Sequence, residues 1–326
     1  MKYYQFWQEI KKKLVSNLDI ILMIVGNHEG SSPGKQGFKM FLDSKGGRMG
    51  TIGGGIMEAK ILEKAKSIIE NNKSHRHNLL IEQVHNKKAD SENQSGLICA
   101  GKQWIILYRL NEGDLPTLES IIEAQDTLSA LILKITATSF DLNKEESDEF
   151  DFDFQKDEDW YYKEKIGDPY IVHVFGGGHV GNSITRILQT LNFYIIQYEN
   201  RPDFTMFEAN KYAHRKISGS FLETADNIKS GPKVFVVVTT YSFDTDYHVL
   251  MNVLEKRINY IGLMGSKTKI AKIFQMLRDD GFSRELIDLV KAPIGLDISD
   301  GSIQEIAISV VAELLKVKNN PSLGIY

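Results

Sequence analysis

The chain has 326 residues, of which 42% are hydrophobic and 25% charged, and its formal net charge is −4. This length and composition predict a globular protein of about two domains, each large enough for its own core. The 39 basic residues are not gathered into one block, which argues against a nucleic-acid partner. No apolar run is long enough to span a membrane, the N-terminus shows no signal-peptide cleavage site, and the single cysteine excludes an intramolecular disulfide. We expect a cytoplasmic protein with no membrane partner and no cysteine-built metal site.

The first half of the chain mixes helical and strand periodicity. In chain order, the pattern predicts a helix over 3–18, a buried strand over 20–25, a glycine-rich loop over 26–37, a hairpin of strands over 38–42 and 48–52, a helix up to about residue 71, strands over 78–84 and 104–110, a helix over 116–124 and a strand over 130–138. An acidic, aromatic stretch follows, and its alternation of Phe and Asp over 150–154 is typical of an exposed edge strand. We predict a domain boundary near Gly167-Asp168-Pro169, which divides the chain into residues 1–168 and 169–326.

The return strand of the hairpin leads into Gly53, Gly54 and Gly55, directly before a predicted helix. Successive glycines at a helix start can present backbone N–H groups to an anion, at the end of the helix where its dipole is positive. Glu58 lies in the first turn of that helix. It either complements the helix dipole or points into the same pocket as the glycines, and this stretch alone favours neither interpretation.

The single cysteine, Cys99, lies in a glycine-flanked turn before the strand over 104–110. A free cysteine is more often a small buried hydrophobic residue than a reactive thiol, so the pattern by itself favours a structural role.

The second half opens on the stretch around which the chain is organised. An apolar strand over 170–175 leads into Gly176-Gly177-Gly178-His179-Val180-Gly181, a G-x-G-x-x-G match, and a helix over 182–191 and a strand over 193–198 follow. Gly176 allows a tight exit from the strand, Gly178 lets a pyrophosphate approach the backbone, and Gly181 lets the helix pack closely on the sheet. Glu199 ends the second strand, 21 residues after Gly178, where an acidic side chain can accept hydrogen bonds from ribose hydroxyls. This order of elements predicts a dinucleotide site or a similar nucleotide site.

Strands over 233–238 and 259–263 then alternate with helices over 247–255, 267–279 and 302–315, which predicts a parallel sheet. Gly265, Ser266 and Lys267 occupy a second strand-to-helix junction, where they either cap the helix or form a second anion site. The segment over 292–298, which contains Asp297, is predicted to be a buried loop. The predicted fold class is α/β, with a Rossmann-like doubly wound parallel sheet preceded by a smaller α+β domain. The loops at the carboxyl ends of its strands should line one crevice.

Six motifs, in order along both halves, resemble those of the XdhC/CoxI family, which are accessory proteins for xanthine dehydrogenase and carbon monoxide dehydrogenase. They are Gly30-Ser31-Ser32-Pro33, Gly50-Thr51-Ile52-Gly53-Gly54-Gly55 with Glu58, Phe175-Gly176-Gly177-Gly178-His179-Val180-Gly181, Arg201-Pro202, Tyr260-Ile261-Gly262-Leu263-Met264-Gly265-Ser266 and Ala292-Pro293-Ile294-Gly295-Leu296-Asp297. The resemblance implies an N-terminal domain of the XdhC/CoxI type and a cofactor-binding Rossmann-like domain.

The resemblance also implies a chaperone for the molybdenum cofactor, in its molybdopterin or dinucleotide form. Such a protein holds the cofactor while a cysteine desulfurase partner supplies its terminal sulfido ligand, and delivers it to an apo molybdenum hydroxylase. This is a maturation factor more than a turnover enzyme. The cofactor's phosphate or pyrophosphate would rest on Gly176–Gly181 with Glu199 toward a ribose, and its pterin end would lie between the domains near Gly53–Glu58 and Cys99.

The family carries its glutamate at the position of Glu58, and it commonly has Cys-Gly-Gly where this chain has Cys99-Ala100-Gly101. The resemblance therefore favours a functional role for Glu58. Because soft sulfur suits a molybdenum–sulfur centre, it also leaves Cys99 open between a functional and a structural role. Phe243 takes the place of a histidine that relatives often show, which puts any proton transfer or ligation at that position in question. The expected cofactor-binding residues are Gly53, Gly54, Gly55, Gly176, Gly177, Gly178, His179, Gly181, Glu199, Arg201, Gly265, Ser266, Lys267 and Asp297, with Glu58 and Cys99 as candidate catalytic residues.

Two other functions stay open. The second domain alone would suit an NAD(P)-dependent oxidoreductase, although His179 is as typical of a helix start as of a hydride-transfer catalyst. A nucleotide-sensing or scaffold protein would need neither Cys99 nor Glu58. The edge strand would also permit a homodimer.

Overall fold

The computed structural model describes residues 3–71, 78–85, 101–144, 148–156 and 159–325. The chain forms two compact units, which we call the first unit (Tyr3–Asp168) and the second unit (Pro169–Tyr326). Across the described ranges, no helix has the length and apolar character needed to cross a membrane.

Within its described residues, the first unit forms two antiparallel sheets and three α-helices. Its elements are α1 (Tyr3–Val15), β1 (Ile20–Gly30), β2 (Lys39–Asp43), β3 (Arg48–Gly50), α2 (Gly55–Glu70), β4 (Leu79–His85), β5 (Gly101–Leu110), α3 (Leu115–Thr127), β6 (Leu131–Thr136), β7 (Phe140–Asn143), β8 (Phe150–Lys156) and β9 (Asp159–Ile166). The five-stranded sheet has the order β3-β2-β1-β5-β4, and the four-stranded sheet has the order β7-β6-β9-β8.

Strand β1 is buried on both faces, which explains its continuous apolar sequence. Leu22 and Ile24 join a core cluster with Trp7 of α1, whereas Met23 joins a second cluster with Ile61 of α2. Successive side chains of a strand point to opposite faces, so this alternation places the helices on the two sides of the five-stranded sheet.

The acidic, aromatic stretch forms β8 at the edge of the four-stranded sheet, which confirms the predicted edge strand. Its phenylalanines pack on glycines of the other sheet and of its β1–β2 connection. A Cβ on Gly26 would lie 2.9 Å from the Phe152 ring, and one on Gly37 would lie 2.4 Å from the Phe150 ring. The glycines therefore make room for the aromatic rings.

The second unit is a doubly wound sheet. Its elements are β10 (Tyr170–Phe175), α4 (His179–Leu188), β11 (Phe193–Glu199), α5 (Thr205–Glu208), β12 (Arg215–Ser218), α6 (Phe221–Asp226), β13 (Gly231–Val238), α7 (Phe243–Val253), β14 (Ile258–Leu263), α8 (Lys267–Asp279), α9 (Arg284–Asp288), β15 (Val290–Lys291) and α10 (Ile303–Asn319). All pairs are parallel, in the order β12-β11-β10-β13-β14-β15. The order reverses between β10 and β13, which is the topological switch point where such sheets bind ligands.

Three predictions need correction. The first part of the predicted loop over 26–37 continues β1 as far as Gly30, because it pairs with β5 beyond a bulge at Val25 and Asn27. The helix predicted from residue 182 begins at His179, because Gly178 already has the extended backbone of an N-cap. The segment over 292–298 is mostly exposed or half-buried, and Ile294 is its buried residue.

Candidate functional site

The glycine loop of the first unit lies between β3 and α2. Gly53, Gly54 and Gly55 have φ values of 131°, 74° and 68°, a region that other residues rarely adopt. A Cβ on Gly53 would lie 2.7 Å from the backbone nitrogen of Gly34, whereas a Cβ on Gly54 or Gly55 would meet nothing within 4 Å. Gly53 is thus required by packing, and the next two glycines present open backbone.

Glu58 closes this loop. Its Oε2 accepts hydrogen bonds from the Thr51 hydroxyl at 2.6 Å and from the backbone N–H groups of Ile52 and Gly54 at 3.0 Å each. Burial alone would raise the pKa of Glu58, but these hydrogen bonds, with help from the charge of Arg48, hold the pKa below its ordinary value. The protein's own carboxylate therefore fills part of the predicted anion cradle, and a functional role for Glu58 stays a prediction.

A buried polar cluster lies under this loop, and the sequence analysis missed it. Ser32 donates to Gln103 Oε1 at 2.7 Å, and Gln103 Nε2 lies 2.8 Å from the Met57 sulfur. Gln83 Oε1 accepts a further bond from Gln103 at 3.3 Å. Two glutamines at buried positions of neighbouring strands were the available signal, because buried amides need partners.

The glycines of the second loop divide into packed and open positions. A Cβ on Gly176 would lie 2.4 Å from the Thr239 carbonyl oxygen, and a Cβ on Gly181 would lie 2.1 Å from the Gly176 carbonyl oxygen. A Cβ on Gly177 would lie 2.6 Å from Phe207, whereas one on Gly178 would meet nothing within 4 Å. Gly178, the N-cap of α4, is therefore the glycine that a ligand can approach.

Glu199 is wholly buried, and both of its carboxylate oxygens are engaged. Oε2 accepts from the Gly177 N–H at 2.9 Å and from Arg201 Nη2 at 2.7 Å. Oε1 accepts from the backbone N–H groups of Asn200 and Arg201 at 3.0 and 3.1 Å, and from Arg201 Nε at 3.0 Å. Burial would raise the pKa of Glu199, but the hydrogen bonds from Arg201 and Gly177 lower it below its ordinary value. Its predicted bond to a ribose would require an exchange of these partners.

Arg201 is held on two sides. Besides its paired bonds to Glu199, its guanidinium carbon lies 3.5 Å from the Phe204 ring centre and 4.7 Å from that of Tyr241. Tyr241 is 55% exposed, and its hydroxyl lies 3.4 Å from Asn200 Nδ2. The cation at the end of β11 is thus fixed in place before any ligand binds.

Under the same loop, His173 lies buried in β10. Its Nδ1 lies 2.8 Å from the hydroxyl of Tyr198, which stacks on Phe175 with ring centres 4.4 Å apart. Burial, helped by the charge of Lys256, lowers the pKa of His173 to about 3.

The structure also shows a buried ion pair that the sequence analysis missed. Asp246, wholly buried in the first turn of α7, pairs with Lys269 of α8 and accepts a bond from the Thr240 N–H at 3.2 Å. Burial raises the pKa of Asp246, although Lys269 and Thr240 act in the opposite direction. The pair joins two of the strand-end segments that were predicted to share a crevice.

The other predicted site residues lie along the same sheet edge. The Met264 N–H donates to the Val238 carbonyl at 2.9 Å, and the Ile294 N–H donates to the Leu263 carbonyl at 3.0 Å, so these strand ends are neighbours. Ser266 caps α8 by accepting from the Lys269 N–H at 3.3 Å. Gly265 is half-buried, and the exposed residues are His179, Ser266, Lys267 and Asp297. Cys99 lies outside the described residues.

Two family models match the chain. The model of the XdhC and CoxI family matches residues 16–80, and the model of the XdhC Rossmann domain matches residues 172–314. Between them the matches fall on both units and cover both glycine loops.

Relatives and a solved structure agree with these models. The chain is 19% identical to a probable xanthine dehydrogenase subunit of Bacillus subtilis (strain 168) over 320 residues, which is 92% of this chain and 93% of that protein. It is 32% identical to the uncharacterised protein YqeB of Escherichia coli (strain K12) over 156 residues, which is 47% of this chain but only 28% of that protein.

A crystal structure of a xanthine dehydrogenase from Bacillus halodurans shares the fold, with a TM-score of 0.76, 19% identity and 96% of each chain covered. With a parallel Rossmann domain that follows an α+β domain, and with family models matched in both, the chain belongs to the XdhC and CoxI family.

Proposed function

We propose that this chain is an accessory factor that supports the maturation of a xanthine dehydrogenase-type molybdenum hydroxylase. The observation that carries the proposal is the family match in both units, each with a glycine loop that keeps open backbone at Gly54, Gly55 and Gly178. A maturation factor must bind its cargo without consuming it, and open backbone beside fixed charges suits binding.

The cargo is the molybdenum cofactor, as molybdopterin or its dinucleotide, which supplies the redox metal centre of the hydroxylase. The start of α4 fits the cofactor's phosphate or pyrophosphate, because helix N-termini present backbone N–H groups to anions. A Cβ at Gly178 would meet nothing within 4 Å, so the space through which the ligand would approach is open. In the first unit, Gly54 and Gly55 leave open space beside the corresponding loop, but the Gly54 N–H is already bonded to Glu58, which keeps the loop in one conformation.

The chain holds this cargo while a cysteine desulfurase supplies the terminal sulfido ligand, and then passes it to the apo-hydroxylase. Cys99 is the soft ligand that the chain itself could contribute. Proton transfer or ligation by a histidine at position 243 plays no part, since Phe243 is there.

The test is co-expression of the full chain with an apo-hydroxylase in a host that makes the cofactor. We expect pterin fluorescence to co-purify with the chain and hydroxylase activity to depend on it. Gly178→Ala should lower the bound pterin by about tenfold, an effect of about 1.4 kcal/mol on binding. Gly231→Ala is the matched control, because Gly231 begins β13 and therefore lies at the end of the strand away from the glycine loop. Its Cβ would lie 3.3 Å from a Val234 methyl group. Unchanged hydroxylase activity without the chain, together with no bound pterin, would refute the proposal.

A further inference from the structure

We infer that the second unit binds a ligand that carries a phosphomonoester where dinucleotides usually present free ribose hydroxyls, with Arg201 as the residue that contacts it. The ligand class is a nucleotide phosphorylated on its ribose. The inference goes beyond the proposed function, because it concerns a group that molybdopterin maturation does not require.

The Glu199 carboxylate is already fully hydrogen-bonded within the chain. In a dinucleotide site an acid at the end of the second strand accepts hydrogen bonds from the ribose hydroxyls. Here that acid already accepts five hydrogen bonds from the chain itself and is wholly buried. Because the lone pairs of Glu199 are already used, free ribose hydroxyls that approach it would gain little hydrogen-bond energy.

Arg201 uses only one edge of its guanidinium to bind Glu199. A guanidinium has five N–H donors in one plane, and two parallel donors suit a carboxylate or phosphate. Glu199 takes the edge formed by Nε and Nη2. The edge formed by Nη1 and the second N–H of Nη2 keeps its donors, since the residues that the structure describes supply no acceptor to Nη1. This edge matches two oxygens of a phosphate.

The Arg201 side chain is held in place before a ligand binds. Phe204 and Tyr241 both lie within cation–π distance of the guanidinium, and the backbone N–H of Arg201 is tied to Glu199 at 3.1 Å. A side chain that is already fixed loses little conformational entropy when it binds. The Glu199 carboxylate also joins Arg201 to the Gly177 N–H, so the cation lies beside the glycine loop.

The test is calorimetric titration of the full chain with two pairs of probes at low ionic strength. NADP⁺ and NAD⁺ differ by a 2′-phosphate, and adenosine 3′,5′-bisphosphate and 5′-AMP differ by a 3′-phosphate. We expect the phosphorylated member of at least one pair to bind about tenfold more tightly, and this preference to shrink as salt is added. The pair that shows the preference identifies the phosphorylated position.

Arg201→Lys keeps the charge but loses the planar edge, so it should remove most of the preference. Arg186→Ala is the control, because Arg186 is exposed on α4 with its guanidinium carbon 5.9 Å from the Tyr212 ring centre, and it should leave the preference unchanged. Equal or weaker binding of the phosphorylated members, or no binding of any probe, would overturn the inference. Hydroxylase activation by the chain uses none of these probes, so either idea can fail alone.

Discussion

The two units close their glycine loops in different ways. In the first unit Glu58 comes from the helix that follows the loop, and it uses one half-buried oxygen to hold three donors from nearby residues. In the second unit Glu199 comes from the next strand of the sheet, is wholly buried, and uses both oxygens with an arginine as counter-ion. The first closure, made by Glu58, depends on local sequence. The second closure, made by Glu199, depends on the assembled sheet.

The largest expected effect is on the second closure. Glu199→Ala would leave the Arg201 charge and the Gly177 N–H without their acceptor. Because the Arg201 side chain is 32% exposed, water recovers part of the loss, and we expect a cost of about 3 kcal/mol. The free energy of unfolding from urea titration measures it. Glu208→Ala is the control, since Glu208 forms an exposed pair with Lys216 at 3.6 Å, and it should cost less than about 1 kcal/mol. Similar losses in the two variants would show that Glu199 stabilises the fold no more than an exposed ion pair does.

Acid should destabilise the second unit more than the first. His173 has a pKa of about 3 in the folded protein against an ordinary value of 6.5, so unfolding takes up a proton between these values. Stability of the second unit should therefore fall as the pH drops below about 6.5, by about 1.4 kcal/mol for each pH unit from this group. Glu58 and Glu199 contribute little between about pH 6.5 and 4.5, because a group with a lowered carboxyl pKa loses its stabilisation only as the pH falls below its ordinary value of 4.5.

The tryptophans allow the acid sensitivity of the first unit to be measured separately from that of the whole chain. Trp7, Trp104 and Trp160 are the three tryptophans of the chain, and all belong to the first unit. Urea unfolding at about pH 7 and about pH 5, followed by tryptophan fluorescence and by far-ultraviolet circular dichroism, reports the first unit and the whole chain. We expect the circular dichroism transition to move more, and His173→Gln to reduce that difference. Equal shifts by both probes would contradict the assignment.

A smaller effect is expected at the first closure. Glu58→Ala should cost about 1–2 kcal/mol, because hydrogen bonds to a charged group are lost but the site is only half-buried. Glu58→Gln keeps the shape and should cost less. Tryptophan fluorescence during urea unfolding follows this change, and a loss as large as that of Glu199→Ala would show that the first loop is not closed locally.

The smallest expected changes in stability are those of alanine substitutions at the open glycines Gly54 and Gly178, and the two should differ. Gly54→Ala should cost about 1 kcal/mol because its φ of 74° disfavours a side chain, although the space is free. Gly178→Ala should change stability by less than about 0.5 kcal/mol, because its φ is −77° and a Cβ there meets nothing within 4 Å. Thermal unfolding of the two variants checks this order, which reversed values would contradict.

Much of the second unit could be predicted because its signals are local. The strand, glycines, helix and strand over 170–199 follow one another, and each step has its own pattern. Strands β12 and β15 were missed, since they are short and gain their structure from neighbouring strands. In the first unit β7 and β9 were missed for a related reason, because charged residues hid their alternation.

The candidate site was predicted less completely than the fold. The tight packing of Gly176 and Gly181 could be predicted from their spacing. The saturation of Glu199 could not, because it depends on how Arg201 folds back, and spacing does not show that. The pairing of Asp246 with Lys269 joins two helices, and a sequence pattern does not show which side chains of two helices face each other. These are contacts between side chains and not between segments.

In the first unit, the rings of Phe150 and Phe152 occupy the space beside Gly37 and Gly26. Gly37 also has a φ of 84°, which disfavours any side chain, so residue size can be exchanged only between Gly26 and Phe152: a larger residue at position 26 needs a smaller one at position 152. A library that randomises positions 26 and 152 together should recover compensated combinations that randomising single positions misses.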